Sequence, residues 1–280
     1  FPTRRSSDLA AMEVAALAPQ LKQKKIVLVL SQLWATYGLS TGAFQNHYSS
    51  KVMKMMMDNT DLAEDTVTSI VQRAATGLAG SSYEEEAKSD TPLDTTNAYA
   101  SCVTNSLQID EESSALTFPG ADVASITQSV NDIDWDALLA QASVDGASES
   151  SNNAYGILND EYEKKYASDA EGCESNFNWA KSTEYGDLEL FLKVCSECGI
   201  EPLLVMTPVK GAWSDYTGIT DECRQAFYDH IRALADGYSA QLADFSAYED
   251  DLYFMDDRDH IGWRGWLYVE KAVIDFYEQA

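Results

Sequence analysis

Ile26-Val27-Leu28-Val29-Leu30 is an unbroken apolar run of strand length, rich in β-branched residues. It follows a segment from Ala10 to about Lys25 whose Ala, Leu, Met, Glu, Gln and Lys favour helix, interrupted at Pro19. A strand that is apolar at every position buries both faces, as strands of parallel sheets do. The same order recurs toward the C-terminus. Leu188, Phe191, Leu192 and Cys195 fall at three- and four-residue steps on a helix predicted from Asp187 to Cys198, stopped by Gly199, and Pro202-Leu203-Leu204-Val205-Met206 reads as a second buried strand. Thr220 caps a further helix with Asp221 and Glu222 in its first turn, Gly237 closes it, and Tyr238 to Phe245 supplies a shorter third strand around Gln241–Phe245. Trp266, Val269, Val273 and Phe276 form the apolar stripe of a terminal helix. Alternation at these intervals predicts an α/β fold, a parallel sheet with helices on both faces.

Elsewhere the chain is less regular. Thr41 to Leu78 is helical in composition, with Phe44, Val52, Met55, Met56 and Leu62 as core candidates. From about 81 to 182 it becomes rich in Ser, Asp, Asn and Glu, with runs such as Glu84-Glu85-Glu86, Glu111-Glu112-Ser113-Ser114 and Ser148-Glu149-Ser150-Ser151. Such runs are solvated faces, so this stretch is expected to be a peripheral, acidic insertion that docks through Trp135–Leu139 and Tyr155–Leu158. Phe1 to Leu9 is the in-frame translation of a sequencing-adapter string and is set aside, leaving 10–280 as the α/β domain.

The 280 residues carry 19 Lys+Arg against 46 Asp+Glu, a formal charge of −27. A polyanion such as nucleic acid needs a concentrated basic patch, and none is visible, so that class of partner is excluded. No apolar run approaches the roughly 20 residues that span a bilayer, so the chain as written is expected to be soluble. Five cysteines are too few and too scattered for a disulfide scaffold in a chain this long. Cys195-Ser196-Glu197-Cys198 sits at a helix C-terminus, where the dipole disfavours a thiolate, and without a second pair it makes a poor zinc site.

Chemistry gathers in loops at the carboxyl ends of parallel strands. The loop before the terminal helix reads Asp256-Asp257-Arg258-Asp259-His260-Ile261-Gly262-Trp263. With Asp257 three residues before His260, a carboxylate can turn back to hold Nδ1 and leave Nε2 to take a proton from a hydroxyl. The alternative is a solvated acidic loop with an incidental histidine. A calcium loop fails, because Ile261 and Tyr268 stand where carboxylates are required. Asp256 and Asp259 have the wrong spacing to reach Nδ1 and are expected to be solvated. His230, beside Phe227 and Leu234, is expected to be a packed or boundary residue, and His47 to be a surface residue.

Tyr253-Phe254-Met255 and the acidic loop, continuing to Trp266, closely resemble the C-terminal signature of the DltD family of D-alanyl-lipoteichoic acid biosynthesis proteins. Thr207-Pro208-Val209-Lys210-Gly211-Ala212-Trp213-Ser214-Asp215-Tyr216-Thr217-Gly218 is similar to a second family block, with Lys210 where the family usually has Asn. Ser31-Gln32-Leu33-Trp34 after the first strand is similar to the family's Ser-Pro-Gln-Trp-Phe turn, keeping only Ser31 and Trp34. The resemblance implies an SGNH-hydrolase-like, flavodoxin-like three-layer fold, its first strand expected upstream of this chain. It also implies a place at the outer face of the cell membrane of Gram-positive bacteria, held by one N-terminal helix not present here. It implies transfer of D-alanyl groups to teichoic or lipoteichoic acid hydroxyls through a seryl ester, working with other D-alanylation membrane proteins. Asp257 and His260 match the family's catalytic pair, and Ser31 and Trp34 are candidate substrate contacts. The nucleophilic serine of the family lies in a Gly-Ser-Ser turn upstream, so the chain in hand is expected to be inactive alone. No metal or organic cofactor is implied. Two other readings stay open: an esterase of the same fold acting on another acylated envelope polymer, and a non-catalytic acidic surface protein.

Overall fold

The structure is a computed structural model, described here for residues 7–37, 44, 47–79, 133–182 and 184–279. The predicted alternation is what forms. Strands β1 (Lys25–Leu30), β2 (Glu201–Met206) and β3 (Gln241–Asp244) make a parallel sheet in the order β1-β2-β3, with Lys25 opposite Glu201 and Leu203 opposite Gln241. Helices α1 (Ser7–Leu17), α2 (Gln32–Tyr37), α3 (Ser50–Met57), α4 (Glu64–Leu78), α5 (Trp135–Glu149), α6 (Glu184–Glu197), α7 (Gly211–Thr217), α8 (Asp221–Gly237) and α9 (Trp263–Glu278) surround it.

Side chains alternate across a strand, and β2 shows what this does. Leu204 and Met206 enter one core with Leu30 and helices α1, α3, α4, α6 and α8, while Leu203 and Val205 enter a second core with Phe254, Met255, Ile261, Val269 and Phe276. Both faces are therefore covered, and the fold is a three-layer α/β sandwich. At roughly 25 cal/mol per Å² of apolar surface removed from water, this two-sided burial is the main force fixing the strands' register.

Several local expectations need correction. The stretch from Thr41 to Leu78, helical in composition, holds two helices among its described residues: Asp58–Ala63 separates α3 from α4, and the Asn59 side chain turns inward to donate to the Ala15 carbonyl (2.7 Å). α6 starts at Glu184 rather than Asp187, and Gly199 ends it with φ 63°, a conformation glycine adopts without strain. His230 is exposed and stacks on Tyr185, ring centroids 4.1 Å apart, instead of packing beside Phe227. Its helical neighbours Phe227 and Leu234 gave no sign that Tyr185 offers a ring face at the surface. His47 is exposed. In α5 Leu138 stays exposed, and the helix instead buries Ala142 and brings Gly146 against the Tyr253 ring.

Cys195 and Cys198 lie at the buried end of α6. Burial pushes the Cys195 thiol up to about 12, and that of Cys198 is also raised, the opposite of what a redox or metal thiolate needs. Ser7–Leu9 forms the start of α1, with Leu9 buried. Phe1–Ser6, Gly38, Cys102 and the acidic runs Glu84–Glu86 and Glu111–Ser114 fall outside the described residues. No described helix is long and apolar enough to cross a membrane.

Candidate active site

The chain after β3 turns back on itself before α9. The Gly262 amide donates to the Phe254 carbonyl (2.8 Å), Met255 and Ile261 bridge antiparallel, and the Asp256 amide donates to the His260 carbonyl (3.0 Å). This small hairpin leaves Asp257, Arg258 and Asp259 at its tip. Asp residues favour such tips because a short carboxylate can accept from the backbone just ahead of it. Asp257 Oδ1 does so, taking the amides of Asp259 and His260, both at 2.8 Å.

That geometry also aims the carboxylate at the imidazole. His260 Nδ1 lies 2.8 Å from Asp257 Oδ2 and 3.0 Å from Oδ1. A carboxylate only accepts, so Nδ1 carries the proton and, in the neutral ring, Nε2 carries a free lone pair. The Asp257 side chain is 6% exposed and that of His260 49%, which puts the carboxylate inside and one edge of the ring toward solvent. The hydrogen bond that the His260 ring donates to Asp257 raises the His260 pKa, against the opposing effect of burial. Burial works to raise Asp257, but the hydrogen bonds from the His260 ring and from the two amides outweigh it and hold the carboxyl below its ordinary value.

The neighbouring acids are not solvated. Asp259 has a side chain only 9% exposed, accepting from Gln32 Nε2 (2.6 Å) and from Arg258 Nε (3.0 Å to each oxygen), and Arg258 also pairs with Glu174. Burial, the Asp257 charge and Glu149 raise Asp256 to about 6. Its backbone carbonyl accepts from the Leu158 amide (2.8 Å). The spacing rule that removed these two acids from Nδ1 was sound. It missed the segments that cover them, since 150–182 and the end of β1 both reach the loop from far away in sequence.

The loop sits where the three strands end. Gln32 opens α2 just after β1, Lys210 follows β2 and donates its amide to the Arg258 carbonyl (3.3 Å), and the loop itself follows β3. Lys210 is 2% exposed, its Nζ has no hydrogen-bond partner among the described residues, and burial lowers its pKa to about 8. Behind it, the Val209 amide donates to the Tyr228 hydroxyl (3.2 Å), which donates to Glu249 (2.7 Å), and Glu249 pairs with Arg224.

The sequence-derived residues do not all meet. Asp257 and His260 are joined. Ser31 instead lines a small recess with Leu30, Ala35, Tyr185, Leu188 and Phe227. Trp34 lies in α2, its side chain outside the described residues. Gln32, passed over as a departure from the family turn, is the residue of that turn bonded to the loop. Its position directly after a buried strand was the one signal available.

Fold and loop together define a three-layer α/β protein whose sheet presents a carboxylate-held histidine at its carboxyl edge. Within that class the chain belongs to the DltD family, whose sequence profile, described as DltD protein, matches residues 5–278. It is 30% identical to Protein DltD of Bacillus subtilis (strain 168) over 293 residues, covering 97% of this chain and 72% of that protein. It is 26% identical to Protein DltD of Staphylococcus aureus (strain NCTC 8325 / PS 47), covering 96% and 70%, and 32% identical to Protein DltD of Lacticaseibacillus rhamnosus over 148 residues, covering 51% and 35%.

Proposed function

We propose that the protein to which this chain belongs transfers D-alanyl groups onto hydroxyls of teichoic or lipoteichoic acid at the outer face of the cell membrane, through a seryl ester, with His260 as the base and Asp257 as its orienting partner. The observation that carries the reading is the Nδ1–carboxylate bond at 2.8 Å on a half-exposed ring. That arrangement fixes the tautomer and leaves Nε2 to accept a proton. Membership of the DltD family supports the substrate class.

In this scheme Nε2 takes the proton of a serine hydroxyl as its oxygen attacks the D-alanyl carbonyl, and the imidazolium returns the proton to the departing group of the donor. The seryl ester is then opened by an acceptor hydroxyl, whose proton passes to Nε2 and on to the serine oxygen. Among the described residues no serine is hydrogen-bonded to His260, and the reading takes the nucleophile from the Gly-Ser-Ser turn that the family carries upstream. Side chains of the protein suffice for every step, and the other D-alanylation membrane proteins supply the donor. We also read 10–280 as one α/β domain with a peripheral acidic insertion at about 81–182.

The test counts ester-linked D-alanine in the envelope of a strain lacking its own copy, complemented with the full-length parent at matched expression. His260→Ala should abolish the ester and Asp257→Asn should lower it by orders of magnitude, because an amide cannot compensate the developing imidazolium charge. Wild-type levels in His260→Ala would end the proposal.

A further inference from the structure

The Asp257–His260 pair is held by its own turn, since two of the three donors on Asp257 are amides of that turn. What fixes the turn relative to the sheet is a different question, and the side chain of Asp259 bears on it. Its amide donates to Asp257 Oδ1, while its carboxylate, nearly buried, receives Gln32 Nε2 from the end of β1 and the guanidinium of Arg258. Arg258 is gripped in turn by Glu174. One residue thus touches the orienting carboxylate through its backbone and the sheet edge through its side chain.

We infer that Asp259 is a positioning residue for His260 and that Gln32 is its anchor, so that the end of β1 dictates the orientation of the imidazole. Neither residue is hydrogen-bonded to the imidazole, whose Nδ1 is held by Asp257, and both act through the turn. The contact is short, charge-assisted on the acceptor side and shielded from water, which makes it stronger than an exposed polar contact. Backbone hydrogen bonds from Gly262 and Asp256 close the hairpin itself, and the Lys210 amide holds the Arg258 carbonyl beside the end of β2. The Gln32–Asp259 bond is the side-chain tie from that hairpin to the β1 edge. Without it the side of the tip that bears Asp259 can turn relative to the sheet, drawing the Asp257 carboxylate, which the Asp259 amide holds, away from Nδ1.

The inference deepens the proposed function, because it takes His260 to be the base. Its test needs no turnover, so it fails or stands apart from the envelope assay. The chain has three histidines, His47, His230 and His260, which makes ring-nitrogen NMR assignable. In the unmodified chain the neutral His260 ring should be protonated at Nδ1. Gln32→Leu changes no charge and leaves Asp257 and Asp259 in place, and it should shift the neutral ring toward the Nε2-protonated form by about threefold or more, with a lower His260 pKa. Gln32→Asn, too short to reach Asp259, should do the same and serves if the leucine variant fails to fold. Asp259→Asn should move the tautomer in the same direction. A tautomer ratio and pKa unchanged in a folded Gln32 variant would overturn the inference, whatever happened to stability.

Discussion

Replacing Lys210 with methionine should make the folded protein more stable at neutral pH. The ammonium is 2% exposed, has no hydrogen-bond partner among the described residues and is attracted only at a distance by Asp251, Asp250 and Asp256. Burial holds its pKa near 8, against an ordinary 10.5. At 1.36 kcal/mol per pH unit, that difference is a penalty of about 3 kcal/mol on the folded state wherever lysine is protonated in both states. Between pH 8 and 10.5 the unfolded chain binds the extra proton, so stability rises with pH across that window and the penalty is gone above it. Methionine has nearly the same length and no charge to desolvate. Its cost is that Asp256, already raised to about 6, loses a nearby cation. The expected net gain at pH 7 is about 1–3 kcal/mol, shrinking toward zero near pH 10.5. Urea unfolding at pH 7 and pH 10 on both proteins measures it, with an unchanged slope required for the comparison. A variant that is less stable at pH 7, with the same deficit at pH 10, would mean that Lys210 is a net ion-pair partner of the acids and that the reasoning is wrong.

Asp257→Asn should lower the His260 pKa, followed by NMR titration. His260, raised above 6.5, stabilises fully below that pH and loses this as pH rises through its folded value, whereas Asp257, lowered below 3.8, stabilises above that pH and loses this in acid. The pair therefore contributes most between those limits, and a stability profile that keeps its shape there in the variant would contradict the pairing. In the parent, D-alanyl transfer should rise with pH through the raised His260 value, since only the neutral ring accepts a proton; a rate that falls over that range would exclude His260 as base. Tyr228→Phe strips the acceptor from the Val209 amide and the donor from Glu249, and should cost about 1–3 kcal/mol in urea unfolding; an unshifted midpoint would show that neither group depends on the hydroxyl. Gly265→Ala should destabilise by about 1–3 kcal/mol, read as a lower Tm, because the added Cβ would overlap the Phe254 carbonyl oxygen and the Ile261 side chain; an unchanged Tm would show that α9 can shift away from the hairpin freely.

What the sequence revealed was local. The apolar centres of β1 and β2 were visible as runs because packing on both faces leaves few polar positions, β3 (Gln241–Asp244) was placed by the helix that precedes it, and α9 was visible because Val269 and Phe276 recur with the helical period. Asp257 and His260 could be paired because three residues separate them inside one turn. Contacts spanning long stretches of chain were invisible. Gln32 meets Asp259 across 227 residues and Arg258 meets Glu174 across 84, and no periodicity links such positions. The same blindness made Asp256 and Asp259 look solvated: a count of acidic residues does not reveal that Leu158 and Gln32 will lie over them.

The long reach of those contacts has a consequence for how the protein comes into being. Loop-closure entropy opposes such contacts until they form, and the hairpin at 254–262 leaves the ribosome after the segments it contacts. Its partners at Gln32, Leu158 and Glu174 are made long before and must wait for it. The His260 loop is thus seated only as the whole domain closes. The amides of Asp259 and His260 should accordingly exchange with solvent only through global unfolding; exchange at a rate set by local opening would place the assembly of the loop after, and apart from, that of the domain.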